Sequence, residues 1–174
     1  MGRLALVLAA LLLAACMGVI ALRAEPATAA SGGYVARCGG GKIFLNAKEK
    51  RSFQLHNKVR RERGLRPFCL HPALQRAARA HSKDMIRRDY FAHGNVGARL
   101  KRYGYDWRLY GENIAGGSSS YGSPGVIFNR WMKSTSHRKN ILDRRFREIG
   151  VGTYTGVYRG YRNYTMYTAD FGRR

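Results

Sequence analysis

Gly111-Glu112-Asn113-Ile114-Ala115-Gly116-Gly117, GENIAGG in one-letter code, places an acid inside a glycine-bounded apolar segment. The chain has 32 Lys+Arg against 10 Asp+Glu, so acids are scarce and this one sits where charge is hard to hold. An isolated carboxylate drawn toward an apolar interior is strongly disfavoured unless it is hydrogen-bonded or paired. Two other segments offer partners: His93 in YFAHGN and His137 in STSHRKNIL, each beside a turn and apolar residues. Glu112 is therefore expected to face one or both histidines, and the flanking glycines let the backbone approach them closely.

Working outward, the residues before this stretch read as helices. Asn46 followed by Glu49 forms a capping box. The helix it opens carries Phe53, Leu55, His56 and Val59 on an apolar side and KVRRERG, with Arg60, Arg61 and Arg63, as a solvated cationic run, ending at Gly64. HPAL opens a second helix with Pro72 in its first turn. Leu74, Ala77, Ala78, His81 and Met85 share one face of it, which makes His81 a packed histidine rather than a ligand. GARLKRYG is a short helical piece. The serine and glycine run 116–125 reads as a flexible surface loop, and Pro124 starts a further helix burying Val126, Ile127 and Trp131. The end of the chain changes character: REIGVGTYTG and RNYTMYTADFG are rich in Thr, Tyr and Val and predict an antiparallel hairpin. Helices first and strands last favour a layered α+β domain over a doubly wound nucleotide fold.

The ends and totals bound the rest. Residues 1–30 combine Arg3, an apolar run from Leu4 to Leu22 and small residues before Ser31, which reads as an export signal cut near Ala30. LAAC ending at Cys16 allows acylation instead, and the apolar run is nearly long enough to stay as a membrane anchor. Residues 31–45 form a glycine-rich lead-in. Roughly 140 residues remain, the size of one ordinary domain. Cys38 and Cys69 remain with them. In an oxidising compartment that pair is most simply a disulfide, two buried free thiols being the alternative. A net charge of +22 favours anionic partners such as envelope polymers and lipid headgroups, and export makes intracellular nucleic acid the least accessible of them.

LHNKVRRERGLRPF, HPALQRAARAHSKDM, YFAHGN, GENIA and WMKSTSHRKNIL followed by FREIGVG occur in the order and spacing of the CAP superfamily, which comprises cysteine-rich secretory proteins, antigen 5 and plant pathogenesis-related class 1 proteins. The chain resembles its short bacterial members, the SCP-like extracellular domain proteins, over residues 46–171. The resemblance implies a single-domain α-β-α sandwich with a cleft of two histidines and two acids that in some members binds divalent metal. His93, Glu112 and His137 match three of those places, with Ser134, Asn113 and Asn140 as candidates for the cleft lining. The fourth place differs. Eukaryotic members carry a Glu on the helix after the GEN segment, whereas VIFNRWMKSTSH holds no acid and the next one is Asp143.

Function is read accordingly. The expectation is an exported, monomeric, non-catalytic binding module whose His/Glu/His cleft takes a small or lipid ligand or a divalent ion such as zinc, and whose cationic exterior adheres to anionic envelope components. Two alternatives stand beside it. One is a metal-assisted hydrolase, protease or esterase, using the same three residues. The other is an electrostatic polyanion binder, although no nucleic-acid motif accompanies the scattered arginines. A serine nucleophile at Ser134 or Ser136 next to His137 is weighed against serine's ordinary place at a helix start.

Overall fold

The computed structural model describes residues 31–174, so the expected export signal and Cys16 lie outside the described residues. The chain starts with a hairpin of β1 (Gly33–Ala36) and β2 (Lys42–Leu45). Residues 31–45 are thus not the loose lead-in expected from their glycines. Gly39, Gly40 and Gly41 have φ values of 72°, 91° and 77°, and this left-handed run is what turns the hairpin. Arg79 Nη2 donates to Phe44 O at 2.6 Å, tying the hairpin to the body. The Cys38–Cys69 disulfide ties it a second time.

Helix α1 (Ala47–Glu62) opens on the expected capping box. Asn46 Oδ1 accepts from Glu49 N at 2.9 Å and Asn46 N donates to Glu49 Oε2 at 3.0 Å. Strand β3 (Cys69–Leu70) leads into α2 (Pro72–Arg87), then α3 (Val96–Arg102). Strand β4 (Leu109–Ser118), a short 3-10 turn, α4 (Pro124–Lys133) and α5 (Thr135–Leu142) follow, and β5 (Glu148–Tyr158) and β6 (Tyr161–Arg173) close the chain. The main sheet has the order β3-β5-β6-β4, antiparallel except for the β3-β5 pair. The expected C-terminal hairpin is therefore the centre of the sheet.

Helices cover both faces, giving an α-β-α sandwich. On one side Ile127, Phe128 and Trp131 of α4 and Ile141 of α5 pack with Val151, Tyr167 and Phe171 from the sheet, and α1 adds Phe53 and Val59. On the other side α2 lies so close that a Cβ on Gly150 would fall 2.1 Å from the backbone of Leu74. Only glycine there lets helix and strand meet at this distance.

GENIAGG is strand, not the start of a loop. β4 pairs with β6 from Leu109↔Arg173 through Ser118↔Tyr164, so the expected loop over 116–125 loses its first three residues to the sheet and all the rest but Ser123, the N-cap of α4, to the 3-10 turn and α4. Glycine is a weak strand former, yet Gly116 is required, because its Cβ would sit 2.4 Å from the Tyr164 ring. Cross-strand packing overrides propensity here.

Candidate functional site

Strand alternation decides where Glu112 and its neighbour point. Glu112 pairs with Asp170 and Ile114 with Thr168, on the face covered by α2. Asn113 points to the opposite face, toward α5. The loop after α2 brings His93 over the open edge of β4.

The result is a buried carboxylate with both oxygens engaged. His93 Nδ1 lies 2.6 Å from Glu112 Oε1, and the Arg99 guanidinium of α3 pairs with Oε2. The Glu112 side chain is 1% exposed against 51% for His93, so the acid is the floor and the histidine the rim. His81 of α2 is buried, in keeping with its place on the apolar face, but its Nε2 points into the site 3.9 Å from Glu112 Oε2 and has no hydrogen-bond partner. Below lies Asp170, fully buried, with Arg99 4.0 Å away and neither carboxylate oxygen hydrogen-bonded.

The protonation states follow from these contacts. The bond to Glu112 raises the His93 pKa above the ordinary histidine value. Burial, opposed by Glu112, lowers that of His81. Burial and the adjacent Glu112 charge hold the Asp170 pKa well above the usual carboxylate range, so Asp170 keeps its proton while Glu112 serves Arg99 and His93.

His137 stands near enough to His93 to feel its charge but makes no hydrogen bond to Glu112. Its Nδ1 lies 2.8 Å from Ser134 Oγ at the start of α5, and Ser134 Oγ is 3.2 Å from Ser136 Oγ. Burial and the positive neighbour His93 lower its pKa, so it stays neutral. Asn113 is fully buried, not at a cleft surface. Its Nδ2 donates to His137 O at 3.0 Å, and Asn140 Nδ2 donates to Asn113 Oδ1 at 2.9 Å and to Glu112 O at 3.2 Å. These two amides clip α5 to β4 and thereby fix how far His137 stands from Glu112. Asp143, the next acid in sequence, turns away to Arg145 at 2.7 Å.

This donor set does not fit a divalent metal. Arg99 holds one oxygen of Glu112 and would repel a cation, and Asp170 and His81 are buried, so only His93 and His137 remain, whose Nδ1 atoms turn to Glu112 and Ser134 and leave two Nε2 atoms, too few to hold the ion. Among the described residues no group of three or more His, Cys, Asp or Glu is placed to hold a metal ion. What the arrangement offers is a protonatable rim histidine, and beside it a cavity of about 420 Å³ between α2 and α3 lined by His81, Asp84, Arg88, Tyr90, Arg99 and Arg102. Arg99 and Asp170 were not singled out from the sequence. Asp170 carried a signal, as a lone acid in a Thr- and Tyr-rich strand, but Arg99 is indistinguishable there from Lys101 and Arg102.

The sequence model of the Cysteine-rich secretory protein family, CAP, matches residues 53–171. The chain belongs to this family. It is 38% identical over 113 residues to the uncharacterized protein YkwD of Bacillus subtilis, covering 62% of this chain and 43% of that protein. Its fold is similar to that of an extracellular protein containing an SCP domain from Bacillus anthracis, with TM-score 0.63, 28% identity and coverage of 78% of this chain and 47% of that one. An outer surface protein of Borrelia burgdorferi shares the fold at TM-score 0.61 and 20% identity, over 75% of this chain and 96% of that one. The chain thus spans less than half the length of YkwD and of the anthracis protein. Among the described residues no helix is long and apolar enough to cross a membrane.

Proposed function

We propose that this CAP protein is an exported, non-catalytic binding module that holds a small ligand in the cavity beside Glu112 and adheres to anionic envelope polymers through its cationic exterior. The engagement of both Glu112 oxygens carries this reading. A general base must be within reach of the proton it takes, and Glu112 is 1% exposed with His93 over one oxygen and Arg99 over the other. The excess of 32 Lys+Arg over 10 Asp+Glu supports the adhesive half. Export is supported by the apolar N-terminal stretch, and the B. anthracis protein of similar fold is described as extracellular.

The protein is expected to bind anionic vesicles or acidic polymers at low ionic strength and to lose most of that binding by about 0.5 M salt, where screening is short-ranged. Salt-insensitive retention would replace the electrostatic half with apolar insertion. Intact-mass analysis of the exported protein is expected to show a start near Ser31, and a diacylglycerol adduct on Cys16 would make it a lipoprotein. One contact favours a hydrolase instead, the 2.8 Å approach of Ser134 Oγ to His137 Nδ1. A fluorophosphonate probe separates the readings, with labelling of Ser134 lost in His137→Ala supporting hydrolysis and no labelling supporting binding.

A further inference from the structure

Arg60, assigned to the solvated side of α1 by its sequence neighbours, is fully buried. Its guanidinium lies 3.8 Å from the centre of the Phe68 ring. Nε donates to Arg66 O at 2.8 Å, Nη1 to Ile141 O at 2.9 Å and to Asp143 O at 3.0 Å, and Nη2 to Phe146 O at 3.3 Å. A guanidinium has one donor more than these bonds use, and the remaining N–H is on Nη2. Arg60 forms part of the wall of a cavity of about 240 Å³, together with Arg66, Arg144 and Arg147. A second cavity, about 460 Å³, shares Arg66 and Arg147 and adds Arg173, Arg174 and the acid Glu148 beside the Cys38–Cys69 bridge.

Among the described residues no carboxylate forms an ion pair with Arg60, and the acids nearby are already engaged. Asp143 is held by Arg145 at 2.7 Å, and Glu148 accepts from Tyr105 and, at 3.0 Å, from Arg174. Among the described residues Arg66, Arg144, Arg147 and Arg173 form no ion pair. Burial, and after it the nearby Arg147 charge, bring the Arg60 pKa down to about 10 against the opposing charge of Asp143. Glu148 is the one acid on the two linings and is already paired with Arg174, against six arginines, and a concave surface with so large an excess of one charge concentrates the opposite sign.

We propose that the two joined cavities form a groove for a linear phosphate polymer, with successive phosphates held on either side of the shared Arg66 and Arg147. This rests on the reading that the cationic exterior holds an anionic polymer, and it names the place and the chemistry. Every cation in the groove is arginine, whose planar fork grips two oxygens of one phosphate at once. Two cavities with a common wall suit a repeating ligand better than a single ion. The exposed aromatic residues Tyr34, Phe44, Phe91, Tyr110, Tyr121 and Tyr161 line neither cavity. The groove therefore offers no aromatic platform for a base and no apolar wedge to enter a bilayer, which favours a phosphate chain without bases.

The test is binding of inorganic polyphosphate of defined lengths, at about 0.15 M salt. Affinity is expected to rise about tenfold or more from pyrophosphate to a chain long enough to span both cavities. Arg66→Gln with Arg147→Gln is expected to lower affinity for the long chain about tenfold or more, and Arg51→Gln with Arg61→Gln, the same charge removed from exposed α1 positions, less than about threefold. Arg66→Lys with Arg147→Lys keeps the charge and removes the fork, so an affinity loss of about threefold or more is expected even if the glutamine pair folds poorly. Equal losses in the two glutamine pairs would overturn the groove and leave the broader electrostatic reading standing. Failure of polyphosphate and polyglutamate alike to bind at low salt would remove both. Polyglutamate bound as tightly as polyphosphate and as sensitive to Arg66 and Arg147, or single-stranded DNA bound more tightly than either, would overturn the phosphate assignment.

Discussion

Glu112 and Arg60 are both charges taken out of water, and the protein accommodates them in opposite ways. Glu112 meets a cation and a histidine, while Arg60 meets carbonyl oxygens and the face of the Phe68 ring. Composition explains the difference. With 32 Lys+Arg against 10 Asp+Glu, a buried acid readily finds a basic partner, but a buried base has few acids to choose from and takes the partial charge of several peptide groups instead. The consequence is directional. Around Glu112 charge is balanced within the site, and around Arg60 it is left positive, which makes the first a closed network and the second an open invitation to an anion.

The sharpest way to break this comparison is to remove Arg60. Arg60→Met fills similar space but leaves the carbonyls of Arg66, Ile141, Asp143 and Phe146 without their donor, and we expect a loss of about 3 to 5 kcal/mol in urea unfolding. Arg60→Lys should recover only part, since three donors on one nitrogen cannot reach carbonyls placed around a planar fork. A loss below about 1 kcal/mol in Arg60→Met would mean that the carbonyls are hydrated and that the burial of Arg60 is incidental.

Next in size is Glu112. Glu112→Leu leaves Arg99, 12% exposed, without its acid, and should cost about 2 to 4 kcal/mol. Glu112→Gln should cost less, because it keeps an acceptor for Arg99 and relieves its pressure on Asp170. The same variant has a readout that stability alone lacks. Removing the Glu112 charge should lower the His93 pKa in an NMR titration, since the bond to Glu112 is what raises it. Zinc should leave the melting temperature of the wild type and of His93→Ala unchanged. A zinc-induced rise in the wild type that is lost in His93→Ala would show that Arg99 yields to a metal and that the network is less closed than the geometry indicates.

These two charges also mark what the sequence could and could not disclose. The capping box at Asn46 and Glu49, the Pro72 helix start and the β5-β6 hairpin are local or periodic features, so they were legible. The pairing of Glu112 with His93 was legible too, because a buried acid demands a partner and few segments offered one. Arg60 was not. KVRRERG gives four basic residues in one run, and which of them turns inward depends on carbonyls from 81 to 86 residues further along the chain. Asp170 sits beside Glu112 only through strand register. The position of His137, beside His93 but not bonded to Glu112, depends on the Asn113 and Asn140 clip, which joins strand and helix positions that no spacing rule connects. β4 was hidden because its glycines argue for a loop until Tyr164 is placed over Gly116.

His56 sharpens the comparison by showing a third solution, an ionisable group that stays neutral. It is fully buried, its Nδ1–H donates to Ser52 O at 2.8 Å, and its ring packs against Phe128, Trp131 and Phe171. Burial lowers its pKa from 6.5 to about 4. Between those values the unfolded chain binds a proton that the native protein refuses, so stability rises with pH across the window and is lost as pH falls through it. At 1.36 kcal/mol per pKa unit this difference amounts to about 3 kcal/mol. His56→Leu should flatten the stability curve between about pH 6.5 and 4, whatever it costs at neutral pH. Parallel curves for the two proteins would place the acid sensitivity elsewhere.

The smallest expected effect is the most direct control on Arg60. Arg61 is its neighbour in sequence, on the same helix and of the same residue type, but roughly 100° further round, where the side chain is exposed. It donates to no carbonyl and pairs with no acid among the described residues, so Arg61→Gln removes charge without exposing any buried group. Stability should change by less than about 0.5 kcal/mol. The sign is informative: with neighbouring cations at Arg60 and Arg63 on a chain of net charge +22, removing one should be neutral or slightly stabilising at low salt, and the gain should vanish as salt is added. A loss comparable to that of Arg60→Met would mean that helix charge, not carbonyl capture, sets the cost at both positions, and the contrast between Glu112 and Arg60 would lose its basis.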